Sequence, residues 1–170
     1  YPLLDAHLGG GTSLIIKHEN HQPICTFKIR NGLSFVTGLS DAERKRGIVA
    51  ASTRNHGQGV AWASKLLGVS ATICVPSGNN PEKSAAMRSW GAKVVEEGRD
   101  YDEAVEVMMR IARDEGRAVS HSTNDRNVLA GAATMSLEVT DPKSLPSGPA
   151  FAGTLMIIGT SLLAIAVAGS

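Results

Sequence analysis

Cysteine is scarce in this sequence. Cys25 and Cys74 are the only two in 170 residues, and no CxxC pair occurs. That excludes a disulfide framework and points to a reducing compartment, the cytoplasm. Aromatic residues make up 4%, so the core has to be aliphatic. Neither sign of charge dominates: 17 Lys and Arg stand against 16 Asp and Glu, a net charge of +1. No basic run is interleaved with aromatics, which sets nucleic-acid binding aside. The opening YPLLDAHLGGG has no basic start and no continuous apolar stretch, so it does not read as a signal peptide. Internal repeats and low-complexity tracts are missing too. Charge disappears after Lys143, and GPAFAGTLMIIGTSLLAIAVAGS (148–170) is long enough to cross a bilayer.

What is present is a regular alternation. GIVAAS (47–52) reads as a buried strand. HGQGVAWASKLLG (56–68) reads as a helix with Val60, Ala63, Leu66 and Leu67 on one face and Gly68 as its stop. ATICVP (71–76) is the next strand. PEKSAAMRSWG (81–91) follows as a helix capped by Asn80, with Pro81 at its first position. AKVVEEG (92–98) is a strand, and DYDEAVEVMMRIARDEG (100–116) a helix. In the latter, Asp100 and Glu103 have capping-box spacing, and Ala104, Val107, Met108 and Ile111 form the apolar stripe. AVSHST (118–123) closes the series as a strand. This pitch predicts right-handed βαβ units, hence an α/β fold with an open parallel sheet and flanking helices. Before it, SLIIKHE (13–19) reads as a strand, TFKIRNGLSFVTGL (26–39) as a helix beginning near Lys28, and SDAERKR (40–46) as a polar connection or helical turn.

Two stretches carry groups suited to chemistry. In ICTFKIRNG (24–32), Lys28 lies between Phe27 and Ile29 at a helix start. Partial desolvation there would lower its pKa and free the amine as a nucleophile. A helix start also disfavours a cation, so an ordinary solvated lysine is the competing reading. In ASTRNHGQG (51–59), Ser52, Thr53, Asn55 and His56 gather at the start of a helix that follows a strand, where open α/β sheets bind ligands. Free N–H groups there favour a carboxylate or phosphate, but Ser and Asn are also the residues a plain cap uses. Spacing alone leaves both readings open. His18 and His21 have ligand-like spacing without a third cluster, so no metal site is expected.

KHENHQPICTFKIRNG, followed by ASTRNHGQGVAWASKLLGVSATICVPSGNNPEKSAAMRSWGAKVV, resembles the fold-type II pyridoxal-phosphate enzymes, on the threonine/serine dehydratase branch that also holds serine racemases. The resemblance runs from YPLL to about SLEV (136–139). It implies pyridoxal 5'-phosphate as cofactor, joined to Lys28 as a Schiff base beside Phe27. Asn55 would bond the cofactor's ring oxygen, and Ser52, Thr53, Asn55 and His56 would hold the substrate carboxylate. The activity it implies is β-elimination from L-threonine or L-serine to a 2-oxo acid and ammonia, with amino-acid racemisation or a non-catalytic remnant as alternatives. Thr53, where the racemase-like members have serine, leans toward dehydratase. It further implies a homo-oligomer acting on a small hydroxy amino acid.

Departures accompany the likeness. Ile24 and Cys25 are bulkier than the small residues usual before the lysine, and Arg54 stands where glycine is usual. If position 54 required φ > 0, arginine would cost energy there. LMIIGTSLLAIAVA (155–168) is similar to the family's strand, phosphate loop and following helix, with Gly159, Thr160 and Ser161 as the loop; a membrane span is the competing reading. Family members are considerably longer. The resemblance therefore implies a complete small lobe over 50–127 and an incomplete large lobe formed by 1–49 and 128–170.

Overall fold

The computed structural model describes residues 2–8, 13–141, 154–158 and 163–167. In chain order its elements begin with α1 (Pro2–Leu8), β1 (Ser13–Lys17) and a 3₁₀ turn (Glu19–His21), then α2 (Lys28–Thr37), α3 (Asp41–Arg46) and β2 (Ile48–Ala51). Next come α4 (Asn55–Leu66), β3 (Ala71–Val75), α5 (Pro81–Ser89), β4 (Lys93–Glu96), α6 (Tyr101–Glu115), β5 (Ala118–Val119) and α7 (Arg126–Thr140). β6 (Thr154–Ile158) and β7 (Leu163–Val167) complete the series. The chain divides into two units, Tyr1–Phe27 with Met135–Ser170, and Lys28–Thr134.

The unit 28–134 is the expected open parallel sheet. Its strands lie in the order β4-β3-β2-β5, and every pairing is parallel. Residues 48–51 and 71–75 are buried throughout, as strands covered on both faces must be. Side chains alternate across the sheet. Ile48, Ala50, Ile73 and Val75 face a cluster with Phe35, Val36, Val60, Ala63, Met87 and Val128. Val49, Ala51 and Cys74 face Val107 and Met108 of α6. Fully buried side chains such as Ile73 and Met87 contribute about 2 kcal/mol each by leaving water. β4 is an edge, and its exposed Lys93 and Glu96 discourage further pairing.

The helix ends follow from their residues. Asn80 Oδ1 accepts from the N–H groups of Glu82 and Lys83 at 2.9 and 3.2 Å, and Pro81 supplies the preset first turn. Asp100 Oδ1 accepts from the Glu103 N–H at 3.0 Å. The return half of that box lands one residue early: Glu103 accepts from the Arg99 N–H at 2.8 Å and also pairs with its guanidinium. Gly116 ends α6 at φ +64, a left-handed conformation. Segment 40–46 is a true helix, closed by a reciprocal Ser40–Glu43 capping box.

Two local expectations need correction. Leu66 is 60% exposed, because the buried stripe of α4 runs through Val60 and Ala63 to Leu67, which packs on the core. The last strand ends at Val119 instead of reaching Thr123. Only the Ser120 N–H continues the ladder, to the Val49 carbonyl at 2.9 Å, and the chain then turns away.

In the discontinuous unit, β1-β7-β6 form an antiparallel sheet, with Ser13 opposite Val167 and Lys17 opposite Leu163. Lys17 forms ion pairs with Glu138 and, at 3.6 Å, with the buried Glu19. Here the expected helix after the phosphate loop is corrected: Leu163–Val167 is a strand, with β-branched Ile165 and Val167 at alternate positions and pairing on both sides. The Gly159, Thr160 and Ser161 loop lies outside the described residues. Among the described residues, no helix is long and apolar enough to cross a membrane.

Candidate active site

In the strand order β4-β3-β2-β5, the order of connection reverses at β2: the chain moves outward to β3 and β4 on one side, then returns to place β5 on the other. Crevices at such switch points, beyond the carboxyl ends of the strands, are where open α/β sheets take ligands. The β2 exit carries Ser52 to His56, and the β5 exit carries Ser120 to Asp125.

Lys28 is the first residue of α2, as expected. It is half-buried, and its Nζ donates to the Ser122 carbonyl at 3.3 Å. Burial pushes its pKa below the ordinary lysine value, enlarging the fraction present as free amine. What seats Lys28 is a helix crossing. A Cβ on Gly59 would collide with the Lys28 carbonyl oxygen, and a Cβ on Gly32 would collide with the Gly59 carbonyl oxygen. On another side, a Cβ on Gly131 of α7 would collide with the Arg30 carbonyl, and Arg30 Nη1 donates to Thr134 Oγ1 at 3.0 Å. Three glycines thus let the α2 backbone lie against two neighbouring helices.

The second stretch divides into used and open groups. Ser52 Oγ is the cap: it accepts from the Gly57 N–H at 2.9 Å and the Arg54 N–H at 3.3 Å. The cap reading therefore holds for Ser52. It does not consume the helix start, because the N–H groups of Asn55 and His56 have no acceptor among the described residues. The Thr53 hydroxyl and the Asn55 amide, both half-buried, also make no hydrogen bond among those residues. Arg54 is exposed at φ −144, so the position does not require the left-handed conformation that would strain an arginine. That conformation occurs at Cys25, φ +54, among the bulky residues noted before the lysine. Phe27 is half-buried and ends the first segment of the discontinuous unit.

His56 is buried, with Nε2 at 3.1 Å from the Ser120 carbonyl and 3.4 Å from Ser120 Oγ. Burial lowers its pKa to about 4; the Ser120 carbonyl opposes that shift, and the Lys28 charge adds to it. The imidazole is therefore neutral at pH 7, and the backbone N–H of His56 is the donor it leaves open at the helix start.

These groups fit a cofactor bearing an aldehyde and anionic substituents: an amine with depressed pKa, and open N–H donors at a helix start. His18 and His21 instead stack on each other, ring centroids 5.1 Å apart, and no group of three metal-ligating side chains occurs among the described residues. The residues that sequence reasoning missed are Gly32, Gly59 and Gly131, and the Ser120 and Ser122 carbonyls. A glycine inside a helical pattern is a visible signal of close backbone approach. A carbonyl is common to all residues and leaves none.

Comparison with known proteins agrees with this chemistry. The chain is 43% identical to an L-threonine ammonia-lyase of Thermotoga maritima over 129 residues, 76% of this chain and 32% of that protein. Among solved structures it is similar to the processed form of threonine deaminase isoform 2 from Solanum lycopersicum, with 32% identity and a TM-score of 0.70 over 72% of this chain and 36% of that one. A pyridoxal 5'-phosphate-dependent aspartate racemase aligns with 34% identity and a TM-score of 0.65 over 72% and 38% of the two chains. The chain spans 32 to 37% of the length of the curated relatives it matches. The match to the family described as "Pyridoxal-phosphate dependent enzyme" extends over residues 1–168, and the chain belongs to that family.

Proposed function

We propose that this chain is part of a lyase that removes the β-hydroxyl and amino groups of L-threonine or L-serine, giving a 2-oxo acid and ammonia. The observation that carries the reading is the seat of Lys28: a half-buried amine of lowered pKa, held at the Ser122 carbonyl beside a helix start with open N–H groups.

Lys28 carries the cofactor through Nζ. When bound, the pyridoxal ring supplies an electron sink that makes the substrate's Cα proton acidic. With the cofactor bound, the Lys28 amine would be the group placed to take that proton as general base. Its lowered pKa favours the unprotonated form that this step needs. The Asn55 amide orients the ring. Thr53, with the Asn55 and His56 N–H groups, receives the substrate carboxylate, and Ser52 holds that turn in shape. The β-hydroxyl would leave as water, its extra proton balanced by the one taken from Cα, and hydrolysis of the resulting enamine would give the 2-oxo acid and ammonia. Gly159, Thr160 and Ser161 are assigned to the cofactor phosphate. The reading includes a homo-oligomer in the cytoplasm, a setting supported by the free thiols of Cys25 and Cys74.

The second reading is racemisation at the same Lys28, favoured by the likeness to the aspartate racemase. One experiment sequence separates the possibilities. Pyridoxal 5'-phosphate is added, borohydride is applied, and the labelled peptide is mapped. The expected result is a yellow protein labelled on Lys28, and no label in Lys28→Ala. A colourless, unlabelled wild-type chain would mean a non-catalytic remnant. With threonine or serine, a 2-oxo acid supports the lyase and a D-amino acid the racemase.

A further inference from the structure

The carbonyls of Ser120 and Ser122, two residues apart, meet two different functional groups. Ser120 O receives His56 Nε2 at 3.1 Å, and Ser122 O receives Lys28 Nζ at 3.3 Å. The segment between β5 and α7 is pinned along its length. The Ser120 N–H continues the sheet to Val49. His121 Nδ1 accepts from the Thr123 and Asn124 N–H groups at 3.2 and 3.0 Å, closing the turn on itself. Asp125 Oδ1 accepts from the N–H groups of Asn127 and Val128 at 2.8 and 2.9 Å, starting α7.

We infer that His56 is a positioning residue: its imidazole fixes the Ser120 end of this strap, and through it the Ser122 carbonyl that holds the Lys28 amine. The inference rests on the reading of Lys28 as the cofactor lysine. It assigns the His56 side chain a task separate from its backbone N–H.

The chemistry of the ring suits the task. With a carbonyl as partner, Nε2 carries the hydrogen, and Nδ1 is left a buried acceptor with no partner among the described residues. A charged ring would repel the Lys28 ammonium. Burial above all, then Lys28 and His121, opposes protonation of His56; the Ser120 carbonyl and Asp125 favour it, and burial outweighs them. A neutral imidazole is thus a rigid donor that adds no like charge beside the amine, something neither lysine nor arginine provides.

The test reads the Lys28 amine directly and needs no cofactor. The 170-residue chain is reductively methylated with ¹³C-formaldehyde, and the dimethyl-lysine resonances are titrated by NMR, Lys28 being assigned from the peak lost in Lys28→Arg. The comparison is His56→Gln, whose amide reaches the place of Nε2, with His56→Asn, whose amide falls short of it. The expected result is a Lys28 midpoint below those of the other lysines in wild type and His56→Gln, and displaced from that value by roughly half a pH unit or more in His56→Asn. Equal midpoints in all three, or equal shifts in both variants, overturn the inference. If His56→Asn does not fold, ¹⁵N shifts of the wild-type ring decide. A neutral ring with hydrogen on Nε2 at pH 7 supports the inference, and a charged ring or hydrogen on Nδ1 ends it. Failure of borohydride labelling at Lys28 would sink the cofactor reading while leaving these titrations standing.

Discussion

Gly59 of α4 lies against the carbonyl oxygen of Lys28, so close that a single added methyl group has no room. The candidate cofactor lysine is held in place by the lack of a side chain on a neighbouring helix.

Gly59→Ala therefore sets two effects against each other. Alanine in a helix gains about 1 kcal/mol in propensity over glycine. Forcing a methyl into packed backbone costs about 1–3 kcal/mol, and here the obstacle is a carbonyl that cannot rotate aside. A net loss of up to about 2 kcal/mol is expected, read from the urea midpoint, with slower borohydride trapping at Lys28 because α2 is pushed away. Gly131→Ala, against the Arg30 carbonyl, should behave alike.

Acid should weaken the fold through His56. Its pKa is about 4 when folded, against 6.5 as the ordinary value. Between those values the unfolded chain binds the extra proton, so stability falls as pH drops. Above pH 6.5 this histidine costs nothing. The penalty grows as pH falls from 6.5 and is complete below about 4, where it reaches on the order of 3 kcal/mol. Urea unfolding from pH 7 to 4 should show that slope in wild type and a flatter one in His56→Gln.

Ser52→Ala removes the oxygen that accepts from the Gly57 and Arg54 N–H groups. A loss of about 1 kcal/mol is expected, the usual worth of a cap. Thermal unfolding measures it. Labelling of Lys28 should persist, since α2 is seated by Gly59 and Gly131.

Cys25 is the one positive-φ residue other than glycine among the described residues. Left-handed backbone costs an ordinary residue about 1–2 kcal/mol, and glycine's extra freedom when unfolded returns about 0.5–1 of that. Cys25→Gly should gain up to about 1 kcal/mol, and Cys25→Val, β-branched, should lose stability. Paired thermal melts of the two variants provide the check.

The parallel sheet was legible because each of its strands and helices obeys a local rule: β2 and β3 as unbroken apolar runs, α5 from Asn80 and Pro81, α6 from Asp100 and its stripe. Lys28 and the groups after β2 were legible from their neighbours in sequence. The Leu66 error came from counting both the i+3 and the i+4 position after Ala63 as buried near a helix end, where only packing shows that Leu67 alone turns inward. The run 163–167 was misread because five apolar residues suit a strand or a helix, and its partners β1 and β6 decide which. The strap from Ser120 to Ser122 was invisible because it works through main-chain oxygens.

The antiparallel pairing of β1 with β7 has a consequence for how the molecule is made. Lys17 and Leu163 are partners across almost the whole chain, whereas residues 28–134 form one uninterrupted unit between them. At a ribosomal pace of about 5–20 residues per second, β1 waits roughly 7–30 s for its partner to emerge. The central unit has everything it needs well before that, so it is free to fold first and carry the early strand as a tethered, unpaired edge until synthesis delivers β7.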